Sequence, residues 1–233
     1  MAGNDTRSRT PLSLVGQDPD ILFYTRQATE RGGPVLVLGS ATGRVAWALA
    51  EHGLSVVGTD PSERMVQAAE EQRASESTEV SGRVRFLHAD PRSLRLPERF
   101  PVVLAPQHAL GLMSSSEDLE AFLATVRHHL LPGGTFVYDV LNPPPAPSAS
   151  NREDEEPGEA LEPRRPLFAF HLRERRQPGG PLGIRRLKLR PFSVEELDAA
   201  MTSGGLTPRE RYGRFDGKPF DPEDTRNIGV VEG

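Results

Sequence analysis

The chain of 233 residues contains no cysteine, which removes disulfides, thiolate nucleophiles and cysteine-bound zinc and gives no reason to expect an oxidising compartment. Lysine is nearly absent too. Lys188 and Lys218 are the only two among 28 basic residues, a bias that points to a GC-rich genome and carries no function. No stretch approaches the roughly 18 consecutive apolar residues of a membrane span, and Met1 to Thr10 lack the apolar core of a secretion signal. A cytoplasmic location with no membrane partner is the expectation. The formal net charge of -5 gives no general attraction to nucleic acid, so no nucleic-acid partner is expected. No metal is expected either, because His128 and His129 are neighbours on a helical pattern and no ligand-type spacing occurs. With 36% hydrophobic and 26% charged residues, the composition suits one soluble α/β domain, and a mean hydropathy of -0.47 assigns part of it to loops.

Against these absences stands one dense pattern. Val35-Leu36-Val37-Leu38-Gly39-Ser40-Ala41-Thr42-Gly43-Arg44 reads as a buried strand, a glycine-containing turn and a helix start. About 20 residues on, Val56-Val57-Gly58-Thr59-Asp60 reads as a second strand ending in a carboxylate. Backbone N–H groups at the helix start can hold an anionic group, and an acid at the next strand tip can accept from ribose hydroxyls. The pair therefore predicts an adenosine-containing cofactor. A dinucleotide turn needs a third glycine for close helix packing, where this chain has Arg44. An NAD-dependent oxidoreductase is the weaker reading.

The stretch resembles the first motif of class I S-adenosylmethionine-dependent methyltransferases: an acidic residue, an apolar residue, then G-x-G-x-G, with Gly39, Ala41 and Gly43 in the glycine positions. Further matches follow in order. Val84 to Asp90 resembles the third strand and the acid that usually holds the adenine amino group, and Phe100 to His108 the fourth strand and its loop. Leu130 to Val140 resembles the turn and fifth strand, and Phe192 to Leu197 and Tyr212 to Gly217 the late helix and sixth strand of small-molecule members. The resemblance covers most of residues 20 to 232. It implies an α/β fold, a doubly wound, mostly parallel seven-stranded Rossmann-like sheet with an inserted antiparallel hairpin. It implies S-adenosyl-L-methionine as cofactor and methyl transfer to a nitrogen or oxygen of a small-molecule acceptor. The residues carried over for the cofactor are Gly39, Ser40, Ala41, Thr42, Gly43, Asp60, Pro61, Met65, Ala89, Asp90 and Gln107, with Tyr24 from the helix that folds over it. His108, Asp139 and Tyr212 fall where an acceptor pocket is expected, although a pocket-lining or surface position also explains His108, hydrogen bonding to nearby backbone Asp139, and strand-edge packing Tyr212.

Methyl transfer from a sulfonium is an in-line substitution, so positioning and exclusion of water matter most and a general base is optional. If one is used, His108, just past the fourth strand, is the candidate. Two departures from the motif bear on this reading. Val37 stands where the family carries an acid that helps hold the cofactor's ammonium end, and Ala41 replaces a glycine, which is tolerable if its φ is negative. A second reading follows from them: a catalytically silent methyltransferase-like binding or assembly module.

Along the chain, residues 1–18 read as a flexible arm and 19–233 as a single domain. A helix is expected over Pro19 to Arg31 with Asp18 as N-cap, and others capped by Ser62 and Ser116. Residues 142–166, rich in proline and acids, read as a flexible excursion. Residues 167–190 read as a hairpin lid. Arg173, Arg175, Arg176, Arg185, Arg186, Lys188 and Arg190 on it form either a solvated outer face or a platform for an acidic ligand, pair with the acidic excursion, or meet a protein partner or a second copy in a homodimer. Ser193 to Gly204 as helix, then Arg209 to Phe215 and Asn227 to Val231 as strands, complete the sheet.

Overall fold

The computed structural model describes residues 18–142, 168–175 and 182–233. The expected arm and excursion lie almost wholly outside these residues, as do the side chains of the hairpin before Lys188. The strands are β1 (Val35–Leu38), β2 (Val56–Asp60), β3 (Val84–His88), β4 (Phe100–Ala105), β5 (Leu130–Leu141), β6 (Phe168–Arg175), β7 (Leu182–Leu189), β8 (Thr207–Tyr212) and β9 (Arg226–Glu232). The helices are α1 (Pro19–Arg31), α2 (Arg44–Glu51), α3 (Glu63–Gln72), α4 (Thr78–Ser81), α5 (Ser116–His129) and α6 (Val194–Ser203).

Seven strands form one sheet in the order β3-β2-β1-β4-β5-β9-β8, and β6 pairs with β7 in a separate antiparallel hairpin. The first five strands of the order run parallel, and β9 runs antiparallel to both β5 and β8. The order reverses between β1 and β4. That reversal opens a crevice at the carboxyl edge of the sheet, where α/β folds of this type bind ligands.

The alternation within β1 divides the core. Leu36 and Leu38 join Val103, Phe122, Phe136 and Phe192 on one face, whereas Val35 and Val37 join Tyr24, Trp47, Leu104 and Val137 on the other. All four β1 residues are fully buried, as expected of a strand with helices on both sides. Each such apolar side chain contributes about 1.5–3 kcal/mol of transfer free energy, enough to hold the loops at the strand tips against a rigid base.

Several helix starts differ from expectation. Asp18 and Ser62 occupy N-cap positions without capping bonds. Asp18 turns to Arg44 at 3.1 Å, and Asp60 takes the Ser62 N–H at 2.9 Å. The cap of α5 is Ser115, one residue before the expected Ser116, with its hydroxyl accepting from Asp118 N at 3.1 Å. Strand β8 ends at Tyr212, which leaves Phe215 beyond it. No helix among the described residues is long and apolar enough to cross a membrane.

Candidate active site

The turn after β1 alternates left-handed positions: Gly39 at φ +71°, Ala41 at +48° and Gly43 at +84°. The turn is held from within, Ser40 N donating to the Thr59 carbonyl at 2.8 Å and Gly43 N to the Ser40 carbonyl at 2.9 Å. At Gly39 an added Cβ would lie 2.8 Å from Ala109 Cβ, so glycine is needed there, and the turn directly touches the loop that follows β4. Ala41 does not meet the condition of a negative φ under which its Cβ is tolerated without cost. A left-handed alanine costs about 1–2 kcal/mol. Its N–H donates to Asp60 Oδ2 at 2.9 Å, which holds the strained residue in place. Asp60 Oδ1 accepts from Ser62 N, so this buried carboxylate at the tip of β2 joins the β1 turn to the start of α3.

Asp90 follows β3 at the same sheet edge but meets a cation of the protein. The Arg92 guanidinium and backbone N–H both donate to it, and Arg92 Nη1 reaches on to Asp118 at 2.6 Å. The Arg92 hydrogen bond holds Asp90 below the usual carboxylate range. Ala89 N donates to the Asp60 backbone carbonyl at 3.0 Å, which ties the second and third strand tips together. Met65 is buried, while Thr42, Pro61 and Gln107 are exposed.

A second cluster forms at the tips of β4 and β5. Asp139, fully buried, accepts from the Tyr24 hydroxyl at 2.6 Å and from Arg226 Nη1 at 2.5 Å, and His108 Nδ1 lies 3.1 Å from its Oδ2. Gln107 and His108 are both left-handed, at φ +56° and +61°. Burial pushes His108 below its ordinary pKa, Asp139 opposes the shift, and Arg226 adds to it. Burial and then the Asp139 charge raise the Tyr24 phenol well above its usual value.

Arg44, at the first turn of α2, clamps α1 from below. It pairs with Asp20 and with Asp18, and Gln107 Oε1 accepts from its Nη2 at 2.6 Å in the amide orientation that satisfies both atoms. Burial acts to raise the Asp20 pKa, but the Arg44 hydrogen bond and charge outweigh it and hold the carboxyl low. The residue that disfavours a dinucleotide turn thus links α1, α2 and the loop after β4.

The structure brings Tyr24, His108 and Asp139 together and leaves Tyr212 apart. The Tyr212 hydroxyl donates to Glu210, and its ring packs edge-on against Phe23 at 5.6 Å. Reasoning from sequence missed Arg226 and the inward turn of Arg190. Arg190 is no part of an outer basic face: it is buried, pairs with Glu196 at 2.5 Å and lies 4.8 Å from the Phe192 ring. Glu196 three residues past the Ser193 cap was the available signal, as the partner a buried arginine needs. No group of three or more His, Cys, Asp or Glu residues is placed to hold a metal among the described residues.

A mainly parallel sheet with a left-handed turn and an aspartate at the next strand tip, beside the β1/β4 reversal, defines a doubly wound nucleoside-binding domain. Residues 35–134 match a family model described as a methyltransferase domain. Cypemycin N-terminal methyltransferase of Streptomyces sp is 32% identical over 112 residues, which are 48% of this chain and 43% of that protein. The chain thus matches less than half the length of this curated relative. The CcbJ methyltransferase from Streptomyces caelestis is 27% identical with a TM-score of 0.71, over 93% of this chain and 90% of that one. The glycopeptide N-methyltransferase MtfA, complexed with S-adenosylmethionine, shares the fold at 18% identity and a TM-score of 0.64, over 89% of this chain and 85% of that one. Residues 35–134 are thus similar to a methyltransferase domain, and the chain shares its fold with a protein that binds S-adenosylmethionine.

The residues present fit this cofactor. Asp60 offers a buried carboxylate at the tip of β2, and Ser40 Oγ, buried in the turn, has no hydrogen-bond partner. Val37 is fully buried and offers no polar atom, but Asp139 brings a carboxylate to the same face of the sheet.

Proposed function

We propose that this chain transfers a methyl group from S-adenosylmethionine to a nitrogen or oxygen of a small molecule. The observation that carries the reading is Asp60, buried at the β2 tip and bonded to Ala41 in the turn after β1. One carboxylate thereby serves both the shape of the turn and the place where ribose hydroxyls are held in this fold. When bound, the cofactor supplies an electrophilic methyl group on a sulfonium sulfur.

The turn Gly39 to Gly43 with Asp60, Pro61, Met65, Ala89, Asp90 and Gln107 would hold it. The clamp of Arg44 on Asp18, Asp20 and Gln107 keeps α1 against the loop after β4. The relatives support a nitrogen acceptor: two are named for N-methylation, of an N-terminus and of glycopeptides. Isothermal titration with S-adenosylhomocysteine is the first test, followed by mass spectrometry of an amine and alcohol panel incubated with S-adenosylmethionine. Binding with a methylated product supports the reading. Absence of heat at millimolar ligand overturns it.

The engagement of Asp90 by Arg92 favours one second reading, a silent binding module. Thermal stabilisation by a protein partner, without any response to the cofactor, is its signature.

A further inference from the structure

We infer that His108 is a catalytic proton acceptor, held in place by Asp139, and that the site is built for an acceptor delivered as a protonated amine of α-amino basicity. This rests on the methyltransferase reading and adds to it a substrate class and the residues that choose it.

Three observations converge. The first is backbone strain. Gln107 and His108 are consecutive non-glycine residues in the left-handed region, a conformation that persists only where surrounding structure enforces it and that gathers at functional sites. Here the strain turns Gln107 to Arg44 and His108 to Asp139.

The second is location. Ala109, the next residue, is the one that an added Cβ on Gly39 would strike at 2.8 Å. The strained pair therefore stands one residue from direct contact with the cofactor turn.

The third is how Asp139 is held. A fully buried carboxylate needs compensation, and Asp139 receives it from Tyr24 and Arg226 on one strand and one helix remote in sequence. Both oxygens are occupied by donors, so Asp139 is an orienting group with Tyr24 and Arg226 as its positioning residues. Facing Nδ1 of His108, it favours the tautomer that carries the proton there and makes Nε2 the accepting atom.

The charged and titratable groups facing His108 are Asp139 from β5 and Arg226 from β9, with Tyr24 of α1 behind Asp139. Burial and Arg226 keep the ring neutral at pH 7. A neutral imidazole matches an α-amino group, whose pKa is about 8, far better than an alcohol, and efficient transfer needs such a match. The step is balanced simply: the ammonium N–H bond breaks, its electron pair stays on nitrogen, and the proton goes to Nε2. The amine is then the nucleophile, and the imidazolium returns its proton to solvent.

The test uses the full chain labelled with ¹⁵N-histidine. The His108→Asn variant assigns the resonance, asparagine being tolerant of a left-handed φ. Two-bond ¹H–¹⁵N spectra, with and without S-adenosylhomocysteine, are expected to show His108 neutral at pH 7 with its proton on Nδ1. Tyr24→Phe, which leaves the Asp139 charge in place, should weaken that tautomer bias. A ring protonated on Nε2, or charged at pH 7, overturns the proposal.

Turnover supplies a second readout on alanyl peptides and amino sugars. His108→Asn should lose about 10²–10⁴-fold in kcat/KM at pH 7 and recover most of it at pH 10, where the amine is already neutral. An equal loss at both pH values, or cofactor binding with no turnover of any amine in the panel, also overturns it. Failure to bind S-adenosylhomocysteine, by contrast, strikes the methyltransferase reading itself.

Discussion

The Tyr24 hydroxyl donates to Asp139 Oδ1 at 2.6 Å across 115 residues of sequence, and both side chains are fully buried. The bond fixes α1 to the tip of β5. Replacing Tyr24 by phenylalanine leaves a buried carboxylate oxygen short of a donor, at a cost of about 1–3 kcal/mol. Urea denaturation should show this loss with an unchanged m-value, since the surface exposed on unfolding stays the same.

Ala41→Gly should stabilise the chain. Relief of the left-handed alanine is worth about 1–2 kcal/mol, and added freedom of the unfolded chain takes back about 0.4–1 kcal/mol. A net gain of about 0.5–1 kcal/mol is expected in the same urea titration. Gly39→Ala is the counterpart and must lose stability, because its φ is +71° and its Cβ would meet Ala109 at 2.8 Å.

Stability should fall as the solution is acidified below about pH 6.5, the ordinary histidine pKa. Buried His129 accepts the Leu96 N–H at Nε2 (2.9 Å) and donates from Nδ1 to the Thr125 carbonyl (2.8 Å), so only its neutral form fits. Burial holds its pKa below the ordinary value, and burial does the same for His108. With folded pKa values depressed, the unfolded chain binds protons first. The full stability is present above pH 6.5 and is lost as pH drops through the lower folded values. Urea midpoints at pH 7.5 and 5.5 measure the effect, and His129→Gln should reduce the difference between them.

Much of the fold was legible because the signals are local. Four consecutive apolar residues before Gly39 announce a buried strand, and Asp18-Pro19 with Gly32-Gly33-Pro34 bracket α1. Periodicity cannot report what pairs across distance. Nothing adjacent to Asp139 reveals that Tyr24 and Arg226 meet it, or that Arg92 takes Asp90. Local chemistry also misleads where a competing partner wins. Asp18 reads as a cap, yet the Arg44 guanidinium draws its carboxylate away, and Arg190 reads as surface until Glu196 pulls it inside. Ala41 shows the same limit in the backbone, since its bond to Asp60 holds a φ that alanine by itself avoids.

The resemblance to related methyltransferases suggests Val37→Glu as a repair of the first motif, and the structure predicts the opposite outcome. Val37 is fully buried and pairs in register with Gly58 on β2 and Leu104 on β4, so a longer, charged side chain would enter a packed apolar face. That face already holds a carboxylate: Asp139 lies two residues past Val137, which is itself in register with Leu104. An added glutamate would meet desolvation and the like charge of Asp139 together, both of which resist ionisation. Burying a polar or charged group without a partner costs several kcal/mol. Val37→Glu should therefore lower Tm by many degrees and bring no gain in S-adenosylhomocysteine affinity by calorimetry. Val37→Ile, which keeps the face apolar, should keep most of the stability. A glutamate variant that folds as well as the parent and binds more tightly would show that the missing acid limits the natural affinity.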